Sequence, residues 1–302
     1  MTTDLRCSVG DVHLRSPIMT AAGTSGYGDE LAAYGDLAEL GAVVTKSLAA
    51  FAWDGNPAPR VAVEGDAMVN AVGLSGPGVL AWREQYLPSL LSRGATVVAS
   101  VWGRNVDEFA AAAQQLDGAD IVAVEVNASC PNLEDRSSIF AHSASMTQSL
   151  LEATANLSVP RWVKLSPNTP DLVAIAGAAI EAGAQALVLT NTVLGMAIDV
   201  ESGRPVLGNV GGGVSGPTVL PVALRAVYEC RAAYPNVPIV GVGGVRSGRD
   251  AAAMIMAGAN AVEVGTATFA HPRAPWRVQR ELARWLRRHG ATLESIYGRA
   301  HD

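Results

Sequence analysis

The chain has 302 residues, 49% of them hydrophobic and 17% charged, with 31 glycines; this composition suits an α/β protein with a sizeable buried core and excludes a disordered chain. A formal charge of -6 and a pI near 5.4 speak against general affinity for nucleic acid or an anionic membrane, since both need clustered basic charge. Cys7, Cys130 and Cys230 are far apart and odd in number, which fits a reducing compartment, offers no disulfide framework, and cannot ligate an iron–sulfur cluster from this chain alone.

The first ten residues are polar and lack the apolar core of a secretory signal. The Ala-rich stretch from Ile175 to Leu189 is interrupted by Glu181 and Gln185 before it reaches the length of a membrane span. The expectation is a soluble, cytoplasmic protein.

In chain order, Cys7-Ser8-Val9 and Val12-His13-Leu14, joined by Gly10-Asp11, read as a short hairpin plugging one end of the fold. An alternation then begins. Apolar runs bounded by polar residues or glycines mark strands at Ile18–Ala22, Ala42–Lys46, Thr96–Val101, Ile121–Val126, Arg161–Leu165, Ala186–Thr190, Pro238–Val242 and Asn260–Val264. Helix-length segments lie between and after them: Asp29–Leu40, Val79–Ser92, Val106–Leu116, Ser145–Asn156, Asp171–Ala182, Thr218–Ala233, Gly248–Ala257 and a closing Pro272–Arg288. This is the pattern of a (β/α)8 TIM barrel, whose active-site groups sit on loops after the strands. A doubly wound sheet is the alternative, but no Gly-x-Gly-x-x-Gly follows the first strand. With no linker or low-complexity tract, residues 1–302 read as one domain. Three connections, Ser47–Pro77, Pro131–Ala144 and Val193–Pro217, are long and follow strands, so they are expected on the catalytic face as a lid.

The most informative stretch is Asn127-Ala128-Ser129-Cys130-Pro131-Asn132, where a buried strand ends and a loop begins. Carboxamides offer donors and acceptors to a planar polar ligand, and a thiol can take a proton once its pKa is near the working pH. The pattern points to proton abstraction from a heterocycle. The plainer alternative is a turn with a small buried cysteine. Lys46 and Lys164 each end an apolar strand, where an inward ammonium calls for a compensating anion; that anion is either a negatively charged ligand or structural partners such as Glu125 and Glu263. Gly241-Val242-Gly243-Gly244-Val245-Arg246-Ser247 and Gly265-Thr266 follow the last two strands. Their backbone amides, with the positive end of the helix starting at Ser247, suit a phosphate. Asn191-Thr192 closes the sixth strand, and Gly211-Gly212-Gly213-Val214-Ser215-Gly216-Pro217 reads either as a flexible loop or as a surface for a flat ring. The five histidines have no metal-ligand spacing, and no Gly-x-Ser-x-Gly elbow is present.

Together these residues resemble the dihydroorotate dehydrogenases, an FMN-dependent (β/α)8 family of pyrimidine biosynthesis. The most specific pieces are the Asn127–Asn132 motif, the segment from Asn191 through Gly195-Met196-Ala197-Ile198-Asp199, and Gly212–Pro217. The second piece is most similar to the class 1 branch in which a catalytic subunit pairs with an electron-transfer subunit. The resemblance implies one FMN per chain and Cys130 as the base that deprotonates C5 of dihydroorotate. It implies substrate contacts from Lys46, Asn70, Gly73, Leu74, Asn127, Asn132, Asn191 and Thr192. Cofactor contacts are implied from Ala22, Gly23, Lys46, Ser47, Asn127, Lys164, Gly216, Gly243, Gly244, Val245, Gly265 and Thr266. A cysteine rather than a serine at position 130, and no membrane-associating extension, favour a soluble class 1 enzyme. Asn132, where the similar dihydropyrimidine dehydrogenase domain has histidine, favours dihydroorotate over uracil. The implied partners are a second copy, and an FAD and [2Fe-2S] subunit passing electrons to NAD in a heterotetramer. A fumarate-linked class 1A-like homodimer, a barrel acting on another cyclic amide, and a non-redox binding protein are the alternatives. Two departures from the family stand out: Gly76 in Gly73-Leu74-Ser75-Gly76-Pro77-Gly78, where the family has asparagine, and Leu133-Glu134-Asp135-Arg136-Ser137-Ser138, where it is usually glycine-rich.

Overall fold

In a computed structural model of the chain, residues 3–129 and 140–302 are described. Eight short strands form one parallel sheet: β1 (Ile18–Thr20), β2 (Val43–Val44), β3 (Val97–Val101), β4 (Ala123–Asn127), β5 (Arg161–Leu165), β6 (Ala186–Leu189), β7 (Ile239–Val242) and β8 (Ala261–Val264). Each pairs with its sequence neighbour, and β8 returns to β1. Between β1 and β2 the ring closes through Gly41 N–H to Ile18 O (2.8 Å), Thr20 N–H to Ala42 O (3.1 Å) and Val44 N–H to the Thr20 hydroxyl (2.9 Å). The result is a (β/α)8 barrel.

The strands are rich in Val, Leu and Ala, whose side chains fill both faces of a sheet buried on both sides. Inside the barrel, Met19, Val44, Val98, Trp162, Val188 and Val240 pack as one cluster, and Val9, Val12 and Leu14 of the Cys7–Val9/Val12–Leu14 hairpin join it. The hairpin therefore plugs the end opposite the site. Outside, the helices cover the strands with helical spacing. In Val106–Leu116, Phe109, Ala112, Ala113 and Leu116 are buried, and the Asn105 side chain caps the first turn by accepting from Glu108 N–H (3.0 Å). The closing helix, Ala274–His289, buries Val278, Leu282 and Leu286, ends at Gly290 with φ +59°, and carries Arg287, Arg288 and His289 at its negative end. Among the described residues no helix is long and apolar enough to cross a membrane.

Two expected helices are corrected. Asp29–Leu40 is a pair of 3₁₀ turns, Glu30–Ala33 and Leu37–Glu39. The Trp276 ring sits where a side chain at Gly35 would stand, and Trp276 Nε1 donates to Asp36 O (2.8 Å), so the chain between the turns is held against the closing helix. Val79–Ser92 is divided into Val79–Gln85 and Leu87–Ser92, because Pro88 cannot donate a helical hydrogen bond and clashes with the preceding turn.

The expected lid is also different in kind. Val61–Glu64 and Ala67–Asn70 from the first long connection, with Val193–Gly195 and Gly212–Ser215 from the third, form a four-stranded antiparallel sheet over the barrel mouth. Val69, Ala71, Ala197 and Leu207 give it a small core of its own. Of the second long connection, residues 131–139 lie outside the described residues, and Phe140–His142 forms a 3₁₀ turn ahead of the next helix.

Candidate active site

Beneath this roof lies a cavity of about 780 Å³, within the range of roughly 300–1,000 Å³ typical of cofactor and ligand sites. Its walls are the C-terminal ends of the strands and the underside of the roof. Asn127 ends β4, and its side chain is fixed on three sides. Its Nδ2 donates to Ser47 Oγ (3.2 Å), while its Oδ1 accepts from Asn191 Nδ2 (3.2 Å) and Ser129 N–H (3.3 Å). Asn191 Oδ1 in turn accepts from Thr192 N–H (2.8 Å). On the roof, Asn70 Nδ2 donates to Gly213 O (3.2 Å).

Below Asn127 the hydrogen bonds continue into the barrel. Ser47 and Ser100 share a hydroxyl–hydroxyl bond (2.8 Å), Ser100 Oγ donates to Glu125 Oε1 (3.0 Å), and Lys164 Nζ stands 3.5 Å from Glu125 Oε2 and 3.2 Å from Glu263 Oε2. All of these side chains are buried. Burial alone would pull the Lys164 ammonium down, but the facing Glu125 and Glu263 carboxylates outweigh it, and its pKa rises above the ordinary value. Lys164 thus lines the cavity while being held from below, so its charge is already compensated within the protein. The glutamates are its structural partners.

At the other side of the mouth, Gly243 and Gly244 adopt φ +129° and +75° after β7, and Gly265 and Thr266 follow β8. Thr266 Oγ1 is 2.8 Å from Ser215 Oγ, which ties the barrel to the roof. The expected contribution of the next helix is corrected. In Gly248–Met256, Asp250 Oδ2 accepts from Arg246 N–H (3.0 Å) and Ser247 N–H (2.9 Å), while Glu281 Oε2 accepts from Gly248 N–H (2.9 Å). The amides of Arg246, Ser247 and Gly248 are therefore satisfied by carboxylates. Ser247→Ala, which removes the cap to Asp250 N–H (3.2 Å), is expected to cost about 1 kcal/mol in urea denaturation; an unchanged midpoint would mean that the capping box contributes nothing.

Of the residues singled out in the sequence, Ala22, Gly23, Lys46, Ser47, Asn70, Gly73, Leu74, Asn127, Lys164, Asn191, Thr192, Gly243, Gly244, Gly265 and Thr266 all line this cavity. Val245 does not; its side chain is buried in the outer core. Gly216 is also off the lining and turns the chain into a 3₁₀ segment at φ +100°. Cys130 and Asn132 lie outside the described residues. Gly212 and Gly213 belong to a roof strand, where a Cβ would run into Asn70 O or the Thr192 hydroxyl. Gly76 has no room for a side chain, because the Tyr27 hydroxyl stands there and donates to Ser75 O.

Sequence reasoning passed over two tryptophans. Trp53 and Trp102 line the cavity and meet edge-on with Phe51, over which the Arg104 guanidinium lies at 4.5 Å. Trp102 immediately follows the last residue of β3, a position that could have been read as facing the mouth.

Known proteins resemble the chain over nearly its whole length. A model of the family described as "Dihydroorotate dehydrogenase" matches residues 4–286. A protein of Geobacter sp. (strain M21) named "Dihydroorotate dehydrogenase B (NAD(+)), catalytic subunit" is 43% identical over 295 residues, 97% of this chain and 96% of its own. One of the same name from Trichlorobacter lovleyi is 42% identical over 301 residues, 99% of each. With similarity of this degree running from the N-terminal hairpin through the last barrel helix, the chain belongs to the dihydroorotate dehydrogenase family, and it is an enzyme.

Proposed function

We propose that this chain catalyses the oxidation of dihydroorotate to orotate in pyrimidine biosynthesis, with FMN in the cavity. The observation that carries the reading is the gathering of Asn127, Asn191 and Thr192 on one wall, above a buried ammonium and opposite a glycine backbone. The residues suit the cofactor: Gly243, Gly244, Gly265 and Thr266 would hold the phosphate by main-chain groups, and Lys164 would stand under the ring system. FMN, when bound, supplies a hydride acceptor. Every other task falls to the chain.

Asn70, Asn127, Asn132, Asn191 and Thr192 would meet the amides and carboxylate of dihydroorotate with matched donors and acceptors. Lys46, ending the run that follows β2, would oppose the substrate's negative charge. Cys130, three residues beyond Asn127, would take the proton from C5 as its thiolate. The charge on Lys164 would favour the electron-rich reduced cofactor. The roof sheet and the tryptophans would exclude water, which strengthens each of these interactions.

Electrons would leave through a separate FAD and [2Fe-2S] subunit to NAD, in a heterotetramer built on a homodimer of this chain in the cytoplasm. The relatives' printed name, a catalytic subunit of an NAD(+) enzyme, supports that assignment.

The test is anaerobic addition of dihydroorotate to the FMN-loaded chain. Rapid bleaching of the flavin's visible absorbance is the expected result. No bleaching with FMN demonstrably bound would sink dihydroorotate as the substrate.

A further inference from the structure

The lysine and two glutamates in the cavity floor present a charge problem. Lys164 faces two carboxylates, at 3.5 and 3.2 Å, and both glutamate side chains are sealed from water. A single cation leaves the second buried anion uncompensated, and in a site of low dielectric one of two neighbouring carboxyls then keeps its proton. The hydrogen bonds select which. Glu125 has the Ser100 hydroxyl on Oε1 and the ammonium on Oε2, so both oxygens of the anion are served. Glu263 has the ammonium on Oε2, and its Oε1 meets no hydrogen-bond partner among the described residues.

Among the described residues, the strand neighbours of Glu263 carry no charge. Val242 on β7 and Met19 on β1 are its register partners, and β3 contributes the neutral Ser100 to the cluster. Lys46 is the other charged side chain among the described residues of the cavity wall. Burial accordingly pushes the Glu263 carboxyl up to about 8, with Lys164 opposing the shift and Glu125 adding to it.

We propose that Glu125 and Glu263 hold one proton between them at neutral pH, seated on Glu263, so that with Lys164 they carry no net charge, and that losing this proton leaves one negative charge beneath the cavity. Both glutamates are positioning residues. They fix where the ammonium stands and how much of its field reaches the cavity. With FMN above it, the extra negative charge disfavours the electron-rich reduced cofactor; that consequence rests on the function proposed above, whereas the shared proton does not.

The proton is read directly by the infrared difference spectrum of the cofactor-free chain between about pH 7 and about pH 9.5, a window in which ordinary carboxyls are already ionised. The expected result is loss of one protonated-carboxyl carbonyl band per chain. The band should be absent from Glu263→Gln. It should also be absent from Glu125→Gln, where the single remaining carboxylate opposite Lys164 ionises. A wild-type spectrum without the band, or a band that survives in either variant, overturns the proposal, and the wild-type titration decides the matter alone should a variant not fold. The effect on the cofactor is read separately. The flavin midpoint potential of the loaded wild-type chain should fall more steeply with pH above about 8 than that of Glu263→Gln, whereas parallel curves would overturn the link from the shared proton to the flavin.

Discussion

Lys164→Met is expected to lower folding stability by about 3–5 kcal/mol at alkaline pH, the cost of leaving buried charge without its partner. The Lys164 ammonium is 5% exposed and serves two carboxylates that are 0% and 1% exposed, so its removal strands both in the barrel. The pH dependence follows from the directions of the shifts. The Lys164 pKa is raised in the folded chain, so its contribution is fully present below the ordinary lysine value of 10.5 and is lost only as pH rises through the higher folded value. It adds no slope between pH 5 and 9. Glu263, raised from 4.5 to about 8, binds an extra proton in the folded state between those values. Its contribution is greatest below 4.5 and declines as pH climbs through that window. Without the ammonium, protonation is the remaining way to quiet the two carboxyls, so the deficit of Lys164→Met should be smallest in acid and widen towards alkaline pH. Denaturation curves across pH check this; a deficit that stays constant, or one below about 1 kcal/mol, the ceiling for exposed pairs, would mean that the triad is not a buried ion cluster.

The parts of the fold legible in the sequence were those whose signal is local. Arg161–Leu165 and Val106–Leu116 have the bounds expected of them, the first as a continuous run between a proline and a polar break, the second with its apolar spacing and its Asn105 cap. Asp29–Leu40 misled because it has a helix's length and Leu37 and Leu40 stand three apart and are both buried, as on one helical face, while the interruption comes from Trp276, more than two hundred positions away. The roof sheet was hidden for the same reason. Asn70 and Gly213 pair 143 positions apart, and a four-residue strand containing two glycines has almost no propensity of its own.

The site was legible where a polar residue ends an apolar strand, as at Lys46, Asn127, Lys164 and Asn191, because a barrel brings all its strand ends to one mouth. Glu125 and Glu263 were readable as possible structural partners of the strand-end lysines, but the choice between those partners and a ligand was not: that both carboxylates meet Lys164 depends on side chains crossing the barrel interior, which spacing along the chain does not encode. The competition for the helix start at Gly248 was partly readable: Ser247-Gly248-Arg249-Asp250 is a capping box, and its acidic member already signals that those amides are taken. Glu281, from the closing helix, was not visible in that way.

Cys130→Ala should slow flavin reduction by dihydroorotate by about 10²- to 10⁴-fold, the range for loss of a positioned general base, while leaving FMN content unchanged. The Asn127 side chain is locked between Ser47, Asn191 and the Ser129 amide, and in the sequence Cys130 is the next residue after Ser129. A proton on a saturated ring carbon needs a base held close to it. A thiol, with an ordinary pKa near 8.5, supplies one at mildly alkaline pH, whereas a serine hydroxyl does so only with further help. Cys130→Ser should therefore retain more activity than Cys130→Ala but reach its limiting rate at higher pH than the wild type. Anaerobic stopped-flow spectra of the FMN-loaded variants, recorded across pH, separate these outcomes. An Ala variant that reduces its flavin at the wild-type rate would remove Cys130 from the reaction, and the asparagine wall would then stand as a binding surface whose base lies elsewhere.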